Sequence, residues 1–155
     1  MNRNELISMR PAIEALIAEF AYLIDHGRGV EVHELFTEDG VYGRSTGERS
    51  VGREAVREAY RRRDQLPPRT TRHLFSNLRL EPDDAGQIRG TCLMTLYMGD
   101  GEPPLPAEPY LVSEYDDIYR LCDDGRWRFA ERITTWLFAP AGAKTGLQLG
   151  NSGSN

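Results

Sequence analysis

The sequence predicts an α+β fold in which N-terminal helices cover one face of a β-sheet. Apolar residues recur at helical spacing in three segments of the first 65 residues. After Pro67 and Pro68 the pattern changes to four β-rich runs that are separated by polar turns. A chain of 155 residues is long enough for one hydrophobic core. We therefore expect an antiparallel meander, curled around its helices, with a blind pocket between the two layers.

The helices are expected in the order in which their apolar patterns occur. The first is expected from Pro11 to about Asp25, before a terminating glycine. A short second helix is expected around Val32, followed by a stop at "EDG" and a strand that starts at Val41. A third helix is expected in "VGREAVREAYRRR". Its inner side is predicted to consist of Val51, Ala55, Val56 and Ala59.

The third helix leads into a basic run, "REAVREAYRRRDQLPPRTTR". Glu54, Glu58 and Asp64 are mixed among its arginines, as on a solvated helix face with pairs at i,i+4. Contact with an anion or with another subunit is the alternative interpretation.

The strands are expected in "RHLFSNLRLE", "QIRGTCLMTLYM", "EPYLVSEYDDIYRLC" and "RWRFAERITTWLF". The clearest turn is "CDDGRW", which has Asp-Gly at its centre as a tight hairpin requires. The proline-rich loop over residues 99–109 is either a lid or a stiff connection. We expect one domain over residues 1–138 and a loose Gly- and Ser-rich tail over residues 139–155.

Composition excludes several classes of function. A net charge of −5 argues against nucleic-acid binding. No apolar run approaches the roughly 18 residues of a membrane span, and the N-terminus lacks the pattern of a secretory signal. Cys92 and Cys122 suggest neither a disulfide framework nor a zinc site, which favours the cytoplasm. Because no dinucleotide, P-loop or His-x-x-x-His pattern is present, we expect no cofactor and no metal.

Asp25 is the most informative polar residue of the first helix. It borders the inner face of that helix, whereas His26 faces away. Because the helix dipole disfavours a carboxylate in the last turn, something should compensate its charge. Arg28, solvent or a hydrogen bond to an imidazole across the pocket are equally compatible with the sequence.

His73, in "TRHLFSN", is the histidine best suited to such a hydrogen bond. A carboxylate bonded to an imidazole fixes its tautomer and raises its basicity, which yields a general base near neutral pH. His33 is expected on a helix surface beside Glu31. Strand alternation places His73 on a face with Phe75, but both faces of this strand are mixed. A structural role for the histidine therefore remains an alternative.

The ordered series "FAYLIDHG", "LFTEDGVY", "TRHLFSNLRL" and "DGRWRFAERIT" resembles the SnoaL-like branch of the nuclear transport factor 2-like superfamily. The likeness extends from about Ile7 to Phe138. It implies a cone-shaped, cystatin-like α+β barrel, in which a curved antiparallel or mixed sheet wraps around the N-terminal helices and encloses a deep pocket.

The resemblance also implies functional residues. Dehydratases and a dehydrochlorinase of this branch use an Asp–His pair for proton abstraction, and Asp25 and His73 match its positions. Arg132 and Tyr42 match a pocket arginine and a pocket tyrosine of such enzymes. Phe20 replaces a polar residue five positions before the aspartate, so one substrate contact differs. A second catalytic histidine found in one of these enzymes has no counterpart, although Tyr97 lies near its place.

Two functions follow from these observations. The first is a cofactor-independent lyase of the dehydratase type, or an isomerase, which acts on a hydrophobic small molecule. In such an enzyme His73 removes a proton and Asp25 orients the imidazole. The developing oxyanion or leaving group is held by Tyr42, Tyr97 or Arg132. The second is a non-catalytic small-molecule-binding or assembly domain, similar to the β subunits of ring-hydroxylating dioxygenases. By the same resemblance we expect a homodimer or homotrimer.

Overall fold

The order of elements confirms the α+β prediction. The computed structural model describes residues 3–83, 85 and 87–143. Two helices, α1 (Arg3–Asp25) and α2 (Arg53–Asp64), flank a 3₁₀-helix, Gly29–Leu35. The strands are β1 (Phe36–Arg44), β2 (Arg49–Val51), β3 (Thr70–Pro82), β4 (Ile88–Gly99), β5 (Leu111–Leu121) and β6 (Trp127–Phe138).

The six strands form one mixed sheet in the order β2-β1-β6-β5-β4-β3. Strands β3 to β6 pair antiparallel in sequence, which is the expected meander. The mixed character comes from β1, which lies parallel to β6 and antiparallel to β2. The tail prediction over residues 139–155 falls mostly on residues 144–155, which lie outside the described residues.

Two boundaries differ from the sequence-based predictions. Helix α1 begins at Arg3 rather than at Pro11, because Leu6 and Met9 also pack against the core and extend the apolar face. The chain enters β1 at Phe36 rather than at Val41, because Phe36 is buried and pairs in register with Phe129 of β6.

The inner side of α2 also differs in part. Val51 is exposed and lies in β2, where it pairs with Val41. Val56 is buried as expected, and Tyr60, one turn later, is the other fully buried residue of the helix. Tyr60 was not predicted as a core residue, because the three residues that follow it are arginines and the run around it is mostly charged.

The core lies between α1 and the inner face of the sheet. Phe20 of α1 is at its centre, with ring centroids of Tyr42, Tyr60, Phe75 and Phe129 at 5.7–6.4 Å. Edge-to-face aromatic pairs of this kind stabilise by about 0.5–1.5 kcal/mol each beyond the area they bury. The aromatic cluster therefore fixes the distance at which α1 crosses the sheet.

Strict alternation selects the inward side chains of β4 and β5. The buried positions of β4 are Ile88, Gly90, Cys92, Met94 and Leu96, and those of β5 are Leu111, Ser113, Tyr115, Asp117 and Tyr119. These two strands each present every second residue to the core, as a sheet with one buried face requires.

Two irregularities change which residues of β3 and β6 face inward. In β3 the register shifts between Ser76 and Arg79, and Asn77 adopts a positive φ of 57°. In β6 the register shifts by one residue, since Tyr119 pairs with Phe129 and Ile118 with Glu131. A one-residue bulge reverses the face on which all later side chains lie. The bulge in β6 therefore turns Arg132 into the core.

Candidate active site

The end of α1 places Asp25 at the edge of the core. Leu23 and Ile24 are buried just before it and anchor the last turn. Gly27 then ends the helix with a φ of +73°, a conformation that suits glycine. The adjacent His26 is exposed and stacks on Tyr22, so it faces away from the core as expected.

The start of β3 brings three hydrogen-bond donors to the Asp25 carboxylate. His73 Nδ1 lies 2.6 Å from Asp25 Oδ1, and the His73 backbone N–H donates to Oδ2 at 2.8 Å. The Thr71 hydroxyl donates to Oδ1 at 2.9 Å. The side chains of Asp25 and His73 are only 5% and 11% exposed. Asp25 is thus tied to β3 by contacts that both orient it and compensate its charge.

This geometry fixes the protonation pattern of the imidazole. Because the carboxylate accepts a hydrogen bond, Nδ1 carries the proton in the neutral ring, and the lone pair lies on Nε2. His73 also lines the cavity described below. Among the alternatives for Asp25, the imidazole and not Arg28 is its partner, since Arg28 pairs with Glu31.

The pKa of the Asp25 carboxyl lies below its ordinary value. Burial by itself raises this pKa, but the hydrogen bonds and charge of His73, together with the Thr71 hydroxyl, outweigh burial and lower it. Asp25 is therefore ionised at neutral pH and acts as an anionic partner for the imidazole.

The lowered pKa of Asp25 predicts a pH-dependent contribution to stability. A carboxyl whose pKa is lower in the folded state stabilises above its unfolded pKa, and this contribution is lost as the pH falls through the folded value. We expect Asp25→Asn to lower the free energy of unfolding by about 1–3 kcal/mol at neutral pH. The difference from the wild type should shrink under acid conditions, where both chains carry an uncharged side chain.

Urea unfolding at neutral and at acid pH measures this difference. Asp123→Asn is the matched control, because Asp123 is exposed in the turn between β5 and β6. A difference between Asp25→Asn and the wild type that is the same at both pH values would contradict the prediction.

A small, partly open cavity lies beside the pair. Its volume is about 60 Å³, and its lining consists of Phe20, Ile24, Tyr42, Tyr60, Arg63, Thr71, His73, Leu96, Met98 and Tyr115. The cavity has room for a few water molecules. Burial is the main cause that raises the pKa of Tyr42, Tyr60 and Tyr115, so all three phenols are neutral donors.

Of the residues expected to contact a substrate, Phe20 and Tyr42 line this cavity. Tyr97 does not, because it alternates with the inward Leu96 and points to the opposite side of β4. There it lines a larger outer cleft of about 800 Å³ beside the loop after β4. Met98 lines both spaces.

Arg132 does not line the cavity, although the resemblance implied a pocket arginine at this position. It is fully buried, with its guanidinium carbon 4.3–4.8 Å from the ring centroids of Phe20, Phe75, Tyr115 and Phe129. It is absent from the cavity lining, because these rings surround it on several sides. The arginine therefore belongs to the core behind the cavity.

Asp117 is the counter-ion of Arg132, at 3.7 Å between Oδ1 and Nε. Its other oxygen, Oδ2, accepts a hydrogen bond from the Tyr119 hydroxyl at 2.7 Å. Burial raises the pKa of Asp117 to about 6, against the opposing effect of Arg132. Asp117 was not predicted as a site residue, although strict alternation along β5 places it at an inward position and so indicates a buried charge.

Four cavity-lining residues were also not predicted from the sequence: Thr71, Arg63, Tyr60 and Tyr115. Thr71 could have been found from alternation, since it lies two residues before His73 on the same face. The three others come from α2 and β5, which are distant in the chain, and no local pattern connects them to Asp25. Among the described residues, no cluster of three or more His, Cys, Asp or Glu side chains could hold a metal ion. None of the described helices is long and apolar enough to cross a membrane.

The fold defines a class of protein: small α+β domains in which N-terminal helices pack on a curved mixed sheet. The chain belongs to the SnoaL-like domain family, whose model matches residues 5–133, within the nuclear transport factor 2-like superfamily. No curated protein matches the sequence.

Solved structures share this fold. A variant of Rv3472, a function unknown protein from Mycobacterium tuberculosis, has a TM-score of 0.76 and 24% identity, and covers 93% of this chain and 85% of its own. A scytalone dehydratase-like protein from Novosphingobium aromaticivorans has a TM-score of 0.72 and 21% identity, and covers 94% and 100%.

A dioxygenase β subunit from the same organism, of the aromatic-ring-hydroxylating class, is similar too. Its TM-score is 0.72 at 16% identity, and the match covers 87% of this chain and 93% of that one. Structures of this fold thus include both dehydratase-like proteins and subunits of larger enzymes.

Proposed function

We propose that the protein is a cofactor-independent lyase of the dehydratase type, or an isomerase, that acts on a hydrophobic small molecule. The observation that carries this proposal is the 2.6 Å contact between Asp25 and His73 Nδ1 at the wall of an otherwise mostly apolar and aromatic cavity. A buried imidazole with its Nδ1 bonded to an ionised carboxylate presents Nε2 as a base and is stabilised once it becomes protonated.

The proposed reaction is removal of a proton from carbon. Nε2 of His73 takes the proton, and the electron pair of the broken C–H bond moves into the substrate. In an elimination that pair forms a double bond while the leaving group departs with its own bonding electrons. In an isomerisation the proton returns to a different atom. Asp25 stays ionised and stabilises the imidazolium, and the neutral phenols that line the cavity donate hydrogen bonds to developing negative charge.

A second function is supported by the size of the cavity. Small-molecule sites commonly have volumes of about 300–1,000 Å³, whereas the cavity beside His73 has about 60 Å³. The aromatic core around Phe20 fills most of the interior. A binding or assembly domain, as in a dioxygenase β subunit, needs no larger cavity. The lyase needs the wall at Met98 to move when a substrate enters.

Elimination of nitrobenzisoxazole distinguishes the two functions. In this probe a base removes the only proton on the ring carbon beside nitrogen, the N–O bond breaks, and a coloured cyanophenolate forms. We expect the protein to accelerate the reaction above the rate in buffer with free imidazole at equal concentration. A rate equal to that of free imidazole would reject a poised base and favour the binding or assembly function.

A further inference from the structure

Arg63 is a cation that lines the same cavity as His73. It lies in the last turn of α2 and its side chain is 22% exposed. At this position the guanidinium is partly removed from water, where charge-assisted hydrogen bonds are stronger than on an open surface. Its charge also acts on the Tyr60 phenol, whose pKa it lowers against the larger effect of burial.

The other arginines of this helix are engaged, Arg53 with the backbone carbonyl of Phe36 and the rest with carboxylates at the surface. Arg61 donates two hydrogen bonds to Glu58, and Arg62 donates one to the same carboxylate. Arg57 pairs with Glu54 at 3.5 Å. These contacts fit the solvated helix face that the sequence predicts.

Arg63 has a weaker contact of this kind. Its Nη1 lies 3.8 Å from Asp64 Oδ1, which is an ion-pair distance but is beyond hydrogen-bond length. The other oxygen, Asp64 Oδ2, accepts a hydrogen bond from the backbone N–H of Val30 at 3.1 Å. Arg63 thus makes an ion pair but no hydrogen bond to the residues that the structure describes, and its donors can bind a ligand in the cavity.

Arg132, which lies in the core behind the cavity, is not available to bind a ligand. It is fully buried, is enclosed by aromatic rings and is neutralised by Asp117. An anion bound to Arg132 would have to displace part of the core. Among the described residues that line the cavity, Arg63 is the only arginine.

We propose that Arg63 binds the oxygen of the substrate that becomes negatively charged when His73 removes a proton. This inference deepens the proposed function and rests on it for the role of His73. His73 and Arg63 line the same small cavity, of about 60 Å³, so a ligand that enters it has both side chains in its wall. The substrate class is then a carbonyl compound with an acidic proton on the adjacent carbon, whose enolate oxygen faces the guanidinium. An arginine fork matches such an oxyanion with two donors.

Binding of para-nitrophenol tests this role without any turnover. The probe titrates near neutral pH, its phenolate resembles an enolate in charge and shape, and the two forms differ in colour. We expect the wild type to bind the phenolate in preference to the neutral phenol, so that the pKa of the bound probe falls. Arg63→Gln should weaken phenolate binding by roughly 10- to 100-fold and abolish the fall in the pKa of the probe.

Arg61→Gln is the matched control, because Arg61 lies on the same helix and binds Glu58 at the surface. It should bind the phenolate as the wild type does. Arg63→Lys keeps the charge and loses the fork, and it should bind with intermediate affinity. Thermal unfolding of all variants shows whether each is folded before binding is compared.

The outcomes separate this inference from the proposed function. Loss of phenolate binding in Arg63→Gln alone supports the inference even if the protein turns over no substrate. Equal binding by the Arg63→Gln and Arg61→Gln variants overturns it, as does a wild type that binds neither form of the probe. If nitrobenzisoxazole is eliminated normally while phenolate binding ignores Arg63, the base is present and the oxyanion is held elsewhere.

Discussion

Replacement of His73 by glutamine is expected to slow the elimination of nitrobenzisoxazole by about 10²–10⁴-fold, the usual contribution of a positioned general base. Glutamine keeps a side chain of similar length that can still donate a hydrogen bond to Asp25. It has no group that accepts a proton near neutral pH. The chain should therefore remain folded while proton abstraction is lost.

His26→Gln is the matched control for this loss. His26 follows Asp25 directly in the sequence, is exposed, and has its Nδ1 2.8 Å from the backbone carbonyl oxygen of Tyr22. It should retain the wild-type rate. Initial rates at several probe concentrations give kcat and KM separately, and the loss in His73→Gln should appear in kcat. Equal rates for the two glutamine variants would show that the observed turnover arises at another group.

Asp25→Asn helps to assign the role of the carboxylate in the same assay. An amide presents an oxygen to Nδ1–H but carries no charge to stabilise the imidazolium. We therefore expect a lower kcat with a smaller change in KM. This positioning role is distinct from the contribution of Asp25 to stability, since the rate effect should persist under conditions where the variant is fully folded.

Asp117→Leu is expected to lower the free energy of unfolding by about 3–5 kcal/mol, because it leaves the buried Arg132 without its counter-ion. Both side chains are fully buried, and Arg132 has no hydrogen bond in the part of the chain that is described. An arginine remains protonated in a protein, so its charge cannot be removed by titration. Urea unfolding at neutral pH, above the Asp117 pKa of about 6, measures the loss.

The double variant Asp117→Leu with Arg132→Met controls for the charge. It removes both members of the pair and fills their places with apolar atoms, a change that is often neutral or stabilising. We expect it to recover most of the stability lost in the single variant. If the double variant is less stable than Asp117→Leu, then packing of Arg132 against the aromatic rings, rather than its charge, determines the stability of this region.

Much of the fold could be predicted because local patterns agree with the tertiary structure. Strands β4 and β5 alternate without interruption, and "CDDGRW" forms the turn between β5 and β6. The apolar face of α1 ends near Asp25 as its periodicity indicates. The short helix around Val32 was predicted, but its 3₁₀ form was not, and β2 was not predicted at all. Both are short and depend on neighbours that lie far along the chain.

The site could be predicted only in part. The sequence indicates Asp25 as a candidate, because the helix dipole disfavours a carboxylate in the last turn of a helix unless another group compensates its charge. Both faces of β3 looked mixed because the positive φ of Asn77 and the register shift beside it exchange the faces within one strand. Sequence periodicity does not reveal such shifts. The inward direction of His73 in β3, and that of Arg132 beyond the shift in β6, could therefore not be predicted.

The sequence by itself determined the class of fold, the order of its main elements and the candidate pair, because these depend on periodicity and on residue type within short segments. The tertiary structure determined which charged side chains contact each other. It placed His73 against Asp25, enclosed Arg132 with Asp117 behind a layer of aromatic rings, and brought Arg63 from α2 to the cavity. These contacts join residues tens of positions apart, and they depend on the bulges and on the crossing of α1 over the sheet, which only the packed chain defines.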